Sequence, residues 1–395
     1  MELIRAVAEV IVWGCLGGLV YTYIGYPLLL AVLGLRRKQS AARQAITPTV
    51  TIVIAAWNEA VRLHARIENC LRQAYPAEKL AVMVVSDGST DETAATVQRI
   101  ADDRVTFIKL EKRQGKAAAL NAGVSACDSE IIVFADARQQ FAPSAVADLV
   151  ANFSDAQVGA VSGELVLVSD TDQPSAEGLG WYWRMEKWIR RQEGELDSVI
   201  GVTGAIYAIR RNLFQPLPPG AILDDLLVPM RIAMEGYRVL FEPRALAFDR
   251  IETNYRQVLQ RKVRTLAGNY QTISLCPDLI NPKRNRLFVQ FISHKVFRLA
   301  SPFWLVLLLV SNSLILEGWL IHLFVLQMLG YSMALSGWAL GRIGIRDRLT
   351  TAAFTFCLLN YAALLGALRY VQGAPVWDRP GAVPARSQWR PTGVQ

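Results

Sequence analysis

The sequence predicts an α/β domain with a mostly parallel, Rossmann-like sheet flanked by helices, held between transmembrane helices at both ends. Three observations predict it. Short β-branched runs alternate with helical patterns over residues 50–135, as parallel βαβ units require. Long charge-free apolar stretches occur only near the two ends. Three acidic sites (Asp87, Asp136 and the pair Asp224 and Asp225) stand beside or at the end of apolar runs, where open α/β sheets bind ligands.

From the amino terminus, residues 10–35 carry no charge, a length that crosses a hydrocarbon core of ~30 Å. The run is too long for a signal peptide, its start is not clearly basic, and no small-residue cleavage site follows. Arg36, Arg37, Lys38 and Arg43 come next. Positive-inside logic then places the following domain in the cytosol of a cell whose inner or plasma membrane holds the chain. Residues 1–46 are thus a span with a basic linker, and Thr47-Pro-Thr opens a globular domain over 47–286. Inside it, strands are expected at 50–55, 80–86, 105–110 and 130–135. Helices are expected at 68–75, 90–102 and 116–126. Residues 255–270 mix apolar and basic side chains in a pattern that suits an interfacial amphipathic helix. Within 287–372, the charge-free runs 299–316, 318–341 and 349–368 read as three further crossings. Glu317-Gly318 makes an outer turn, and Arg342, Arg346 and Arg348 mark an inner loop. The tail 373–395 is rich in Pro, Gly and Arg and is given no structure.

Composition agrees with a membrane-attached globular domain. Hydrophobic residues make up 52% of 395, and the mean hydropathy of +0.24 is high for a purely soluble protein. The net charge of +8 brings no basic stripe interleaved with aromatics, so no nucleic-acid partner is expected. An anionic leaflet and a phosphate-bearing substrate account for it more simply. The five cysteines lie far apart without a CxxC pair, which excludes a disulfide framework or zinc site and fits a reducing compartment.

Each motif has a bland reading beside the functional one. In Val84-Val-Ser-Asp-Gly-Ser-Thr-Asp91, Asp87 can accept the imide N–H of a uracil, but Ser89 or Thr90 could equally cap a helix. Gln114-Gly-Lys-Ala117 puts Lys116 at a helix start, where exposed N–H groups and an ammonium suit a diphosphate. By itself, an ordinary surface lysine would be the better reading. Asp136 ends an apolar strand, and one carboxylate can hold Mg²⁺ when phosphate oxygens complete the shell. Gly201-Val-Thr-Gly-Ala205 could line an acceptor groove or be a plain turn. Arg261 and Arg264 could clasp a diphosphate or anchor a membrane surface.

In this order and spacing, the motifs resemble the membrane-bound inverting glycosyltransferases of family 2. These have the GT-A fold and include hyaluronan, cellulose and poly-N-acetylglucosamine synthases. The resemblance covers about 47–271 and the flanking apolar helices. It implies nucleotide-sugar contacts from Asn58, Glu59, Asp87, Lys116, Asp136, Arg261 and Arg264. It also implies a divalent cation, Mg²⁺ or Mn²⁺, on Asp136, and Asp225 as catalytic base. Gly204 and Asp224 fall on the acceptor side. The second metal aspartate is here Arg138, the Thr-Glu pair is Leu223-Asp224, and the terminal Gln-x-x-Arg-Trp motif is Arg261-Lys-Val-Arg-Thr265. The missing tryptophan speaks against processive polymerisation. The expected activity is sugar transfer from a UDP-sugar to a membrane-associated glycan or lipid, with room for an export partner subunit. Two alternatives remain: a single-transfer enzyme acting on a polyprenyl phosphate or ceramide-like lipid, and an inactive nucleotide-sensing subunit of an export complex.

Overall fold

The computed structural model describes residues 2–35, 43–168, 177–250, 255–345 and 347–373. Arg36, Arg37, Lys38, Arg346 and the tail beyond 373 lie outside them. The strands are β1 (Val50–Ala56), β2 (Leu80–Asp87), β3 (Val105–Leu110), β4 (Ile131–Asp136), β5 (Gln140–Phe141), β6 (Val158–Val168), β7 (Ile206–Arg210) and β8 (Arg238–Arg250). They form one sheet in the order β3-β2-β1-β4-β7-β6-β8-β5.

The first four strands are parallel. β1 sits between β2 and β4, so the chain winds outward to β3 and then crosses back. That reversal makes a crevice at the carboxyl ends of β1 and β4. Beyond β4 the sheet is mixed: β7 runs antiparallel to both β4 and β6, β6 is parallel to β8, and β5 is antiparallel to β8. Helices cover both faces of the parallel half, which is why β1, apolar but for Thr51, is buried along almost its whole length. Ile52 and Ile54 enter one core with Leu63 and Ile67, while Val53 enters the other with Ala119 and Leu227. That is the period of two expected of a strand.

Two helices depart from expectation. The first runs Ala60–Leu71, not 68–75, because Leu63, Ile67 and Cys70 make its buried stripe and Pro76 lies just beyond its end. The second is only Thr93–Gln98. Asp91 delays its start by accepting from the Thr93 N–H at 3.0 Å and the Ala60 N–H at 3.2 Å.

Four helices among the described residues are long and apolar enough to cross a membrane: Glu2–Gly34, Phe288–Ser313, Trp319–Arg342 and Arg348–Val371. The second begins earlier than its charge-free run and so includes the polar turn Ser293-His294-Lys295. Two helices lie between this bundle and the sheet. One, Glu177–Leu196, was not anticipated; the other is Tyr255–Leu275. The latter rests along Arg348–Val371: a Cβ on Gly366 would come within 3.0 Å of the Ala267 nitrogen, and Tyr270 stacks on Tyr370.

Candidate active site

Asp87, Asp136, Lys116 and Asp224 arrive at the crevice from separate elements. Asp87 ends β2, and Asp136 ends β4. Lys116 opens the helix Lys116–Ser125, and Asp224 with Asp225 opens the helix Asp224–Met234, where the helix N-terminus favours negative charge.

Lys116 is the hub. Its Nζ lies 3.1 Å from Asp136 Oδ1 and 3.1 Å from Asp224 Oδ1. Burial alone would lower its pKa, but the charges of Asp136, Asp224 and Asp225 outweigh it and raise it above the ordinary lysine range. Burial would likewise raise Asp136. Lys116 first, then Arg138 and Arg264, reverse this and hold that carboxyl below its usual range. Asp224 is buried and fixed from behind by the Tyr207 hydroxyl, which donates to Oδ2 at 2.8 Å.

Asp225 differs from its neighbours. It makes no ion pair with Lys116, which is engaged by Asp136 and Asp224, and it is only partly covered. Its pKa is pushed up to about 6, first by burial and then by the charge of Asp224, with Lys116 and Lys295 opposing. The backbone around it is tight: Asp225 O accepts the Val202 N–H at 2.8 Å, and a Cβ on Gly204 would stand 2.8 Å from Asp225 Oδ2. The predicted acceptor segment therefore lies directly against this carboxylate.

On the opposite wall, Asp87 accepts the N–H groups of Gln114 and Gly115 at 2.7 and 2.8 Å. Its carboxylate fixes the loop that delivers Lys116. Gly88 is needed there, since φ is +61° and a Cβ would approach Arg113 N to 2.4 Å. Asn58, itself at φ 53°, accepts the Thr90 N–H at 2.9 Å and ties the end of β1 to the turn after β2. Glu59 is buried and paired with Arg62 at 3.1 Å, so it faces its own helix. The Arg113 guanidinium lies 3.7 Å over the Trp57 ring, forming a flat cationic wall beside Asn58.

Of the two predicted arginines, Arg264 comes within electrostatic reach of Asp136, while Arg261 is exposed beside Lys262. Arg138 pairs with Asp249, which also accepts from Gln139 at 3.0 Å. Sequence reading missed Asp249, although it ends the apolar run Ala245-Leu-Ala-Phe, the same signal that found Asp136. It also missed buried Arg66, whose Nε donates to the Asp136 carbonyl at 3.1 Å and fixes the end of β4. Among the described residues, no group of three or more His, Cys, Asp and Glu gathers to cage a metal. Asp136 is 40% exposed at its side chain, and only Oδ1 is taken by Lys116. That donor set fits a cation shared with diphosphate oxygens and does not fit an all-protein site.

Comparison with known proteins agrees with this fold. Residues 51–217 match the family described as Glycosyl transferase family 2. The probable glycosyltransferase YdaM of Bacillus subtilis is 25% identical over 63% of this chain and 63% of its own length. A poly-beta-1,6-N-acetyl-D-glucosamine synthase of Staphylococcus aureus is 23% identical over 62% of this chain and 59% of its own. The chain thus spans about three fifths of the length of the curated relatives it matches. A mannosyltransferase from Pyrobaculum calidifontis, solved with GDP-Man and Mn²⁺, superposes with a TM-score of 0.71 at 22% identity, covering 94% of this chain and 99% of that one. The shared fold is the GT-A type, and residues 51–217 are similar to glycosyltransferase family 2.

Proposed function

We propose that this chain transfers a sugar from a UDP-linked donor to a hydroxyl of a membrane-associated glycan or lipid, with inversion at C1, on the cytosolic face of a membrane. The observation that carries the reading is Asp225: a partly exposed carboxylate with its pKa near 6, one residue from the Lys116-bound Asp224 and pressed against Gly204. A base working near neutral pH needs such a value.

In the proposed step, the acceptor hydroxyl gives its proton to Asp225 as its oxygen forms the new bond to C1. The bond from C1 to the diphosphate oxygen breaks on the opposite side, and the diphosphate leaves with the electron pair. Lys116 stands where charge grows on that leaving group, and Arg264 adds positive charge near Asp136. Trp57, Arg113 and Asn58 line the side where the nucleotide lies, and Asp87 acts by holding the loop of Lys116. A divalent cation, Mg²⁺ or Mn²⁺, held by Asp136 together with diphosphate oxygens would neutralise part of the departing charge. The GDP-Man bound by the Pyrobaculum mannosyltransferase makes a guanine donor the alternative to test.

The test is turnover of detergent-extracted protein across UDP- and GDP-sugars, with and without excess chelator. Asp225→Asn keeps shape but cannot take a proton, so turnover should fall at least ~10²-fold while nucleotide affinity survives. Near-normal turnover would remove Asp225 as base and leave Asp224 as the next candidate. Full activity in chelator would discard the metal and leave its task to Lys116 and Arg264.

A further inference from the structure

The loop 136–141, between β4 and β5, carries the carboxylate set toward the donor diphosphate, and one turn of the helix Ala60–Leu71 holds both of its ends. At the first end, Arg66 Nε donates to the Asp136 carbonyl at 3.1 Å. At the second, Asn69 uses its whole amide on one residue. Its Oδ1 accepts the Phe141 N–H at 2.8 Å, and its Nδ2 donates to the Phe141 carbonyl at 2.9 Å. Arg66 joins the two ends: its Nη1 donates to that same Asn69 Oδ1 at 2.7 Å, and its guanidinium lies 3.9 Å over the Phe141 ring.

Stability does not ask for an arginine here. Arg66 is fully buried, pairs with no carboxylate among the described residues, and leaves Nη2 without a hydrogen-bond partner. A buried cation without a counter-charge opposes folding, and an apolar side chain of similar length would fill the space with less penalty. Packing of the helix on the sheet is already provided by Leu63, Ile67 and Cys70. What only a guanidinium supplies is a rigid fork, one plane that donates to two acceptors and stacks on a ring at once.

The remainder of the loop is tied down elsewhere. Arg138 and Gln139 both reach Asp249, and Gln140 and Phe141 pair with Phe248 and Ala247 of β8. Lys116 comes from the helix on the opposite face of the sheet and lies 3.1 Å from Asp136 Oδ1. The main chain of Asp136 is thus set by Arg66 from one face and its side chain by Lys116 from the other. Groups behind a metal ligand orient it in this way.

We propose that Arg66 and Asn69 are a positioning pair for the donor site, presetting the 136–141 loop so that Asp136 receives a divalent cation and its diphosphate with the loop already in place. This rests on the reading of Asp136 as the carboxylate that holds the cation.

The experiment uses the full chain in detergent micelles and has two readouts, neither of them turnover. The first is affinity for whichever of UDP and GDP binds the parent more tightly, titrated with Mn²⁺ and again in excess chelator. The second is amide hydrogen exchange of the ligand-free protein. Arg66→Met should lower nucleotide affinity in Mn²⁺ by about tenfold or more, the usual loss when a group behind a metal ligand is removed. In chelator the affinity should stay within about threefold of the parent's, since Trp57, Arg113 and Asn58 are untouched. Exchange should rise about tenfold or more at 137–141 and keep the parent's level in β2 and β6, because one loop opens and the sheet does not. Asn69→Ala keeps the arginine and releases only Phe141; it should repeat both effects more weakly, and it carries the test if Arg66→Met does not fold. Arg66→Lys keeps the charge without the fork and should recover only part of the loss. Full recovery would mean that charge alone acts and would overturn the positioning role. A gain from Mn²⁺ equal to the parent's in folded Arg66→Met and Asn69→Ala would overturn the proposal and leave the cation reading intact, and so would exchange that rises as much in β2 and β6 as in the loop. A parent that binds neither nucleotide, or binds equally with Mn²⁺ and with chelator, would sink the reading of Asp136 and this proposal together.

Discussion

The position of one carboxylate oxygen decides the chemistry proposed for Asp225, and a glycine sets it. A methyl group at Gly204 would press on Oδ2 from 2.8 Å. Gly204→Ala should therefore displace the base and reduce kcat by about 10- to 100-fold, since a shift near 1 Å can cost that much. Nucleotide affinity should hold, because the donor wall lies across the crevice. Steady-state kinetics beside a UDP titration checks the split, and equal losses in both would mean the loop has collapsed. The pH profile tests the same group. A base must be ionised, and Asp225 is raised to about 6 by burial and Asp224, with Asp136 adding and Lys116 and Lys295 opposing. kcat/KM should fall toward tenfold per unit as pH drops below about 6 and level off above it. Lys295→Met removes an opposing cation, so the descending limb should move to higher pH. A profile flat down to pH 5 would exclude Asp225 as the titrating base.

At the scale of elements, the two helices between sheet and bundle link the crevice to the long apolar helices. Tyr255–Leu275 carries Arg264 toward Asp136 on one side and meets the last apolar helix on the other. Close backbone approach through small residues is how apolar helices pack where no hydrophobic drive separates them from lipid. Gly366 provides it here, with Ala267 N 3.0 Å from where a Cβ would stand. Gly366→Leu should overpack this contact at a cost of about 1–3 kcal/mol and lower the unfolding temperature in detergent by several degrees. Turnover should fall further than stability explains, because Arg264 moves with the helix. A melting curve and activity equal to the parent's would show that this contact does not position the site.

For the whole molecule, orientation decides where the donor must come from. Arg43, just after the first span, suits an accessibility probe poorly, because it is partly buried and paired with Asp148 and Glu242. Asp128, whose side chain is fully exposed, is the better site. With half-buried Cys276 and Cys357 replaced, Asp128→Cys should resist a membrane-impermeant thiol reagent in intact cells and react once they are permeabilised. Labelling in intact cells would place the crevice outside, away from cytosolic nucleotide sugars, and the proposed function would fall with it.

The sequence by itself determined the parallel half of the sheet and the apolar ends, because both are written in local periodicity and charge-free length. Asp87, Asp136 and Lys116 were legible for the same reason: each sits at the junction of a strand or helix that the local pattern marks. Only the tertiary structure decided how those groups are spent. Asp87 turned out to hold a loop, Lys116 to bridge two carboxylates from different elements, and Arg138 to pair with Asp249 across 111 positions of chain. Such pairings depend on which strands become neighbours, and the sheet places β7 beside β4 and β8 beside β6 by antiparallel and crossover connections that no local pattern encodes. The buried cluster around His294 is the extreme case. Tyr26, Glu186, Glu193 and His294 lie on the helices Glu2–Gly34, Glu177–Leu196 and Phe288–Ser313, and singly they read as ordinary polar residues. Burial and packing alone brought their charges together.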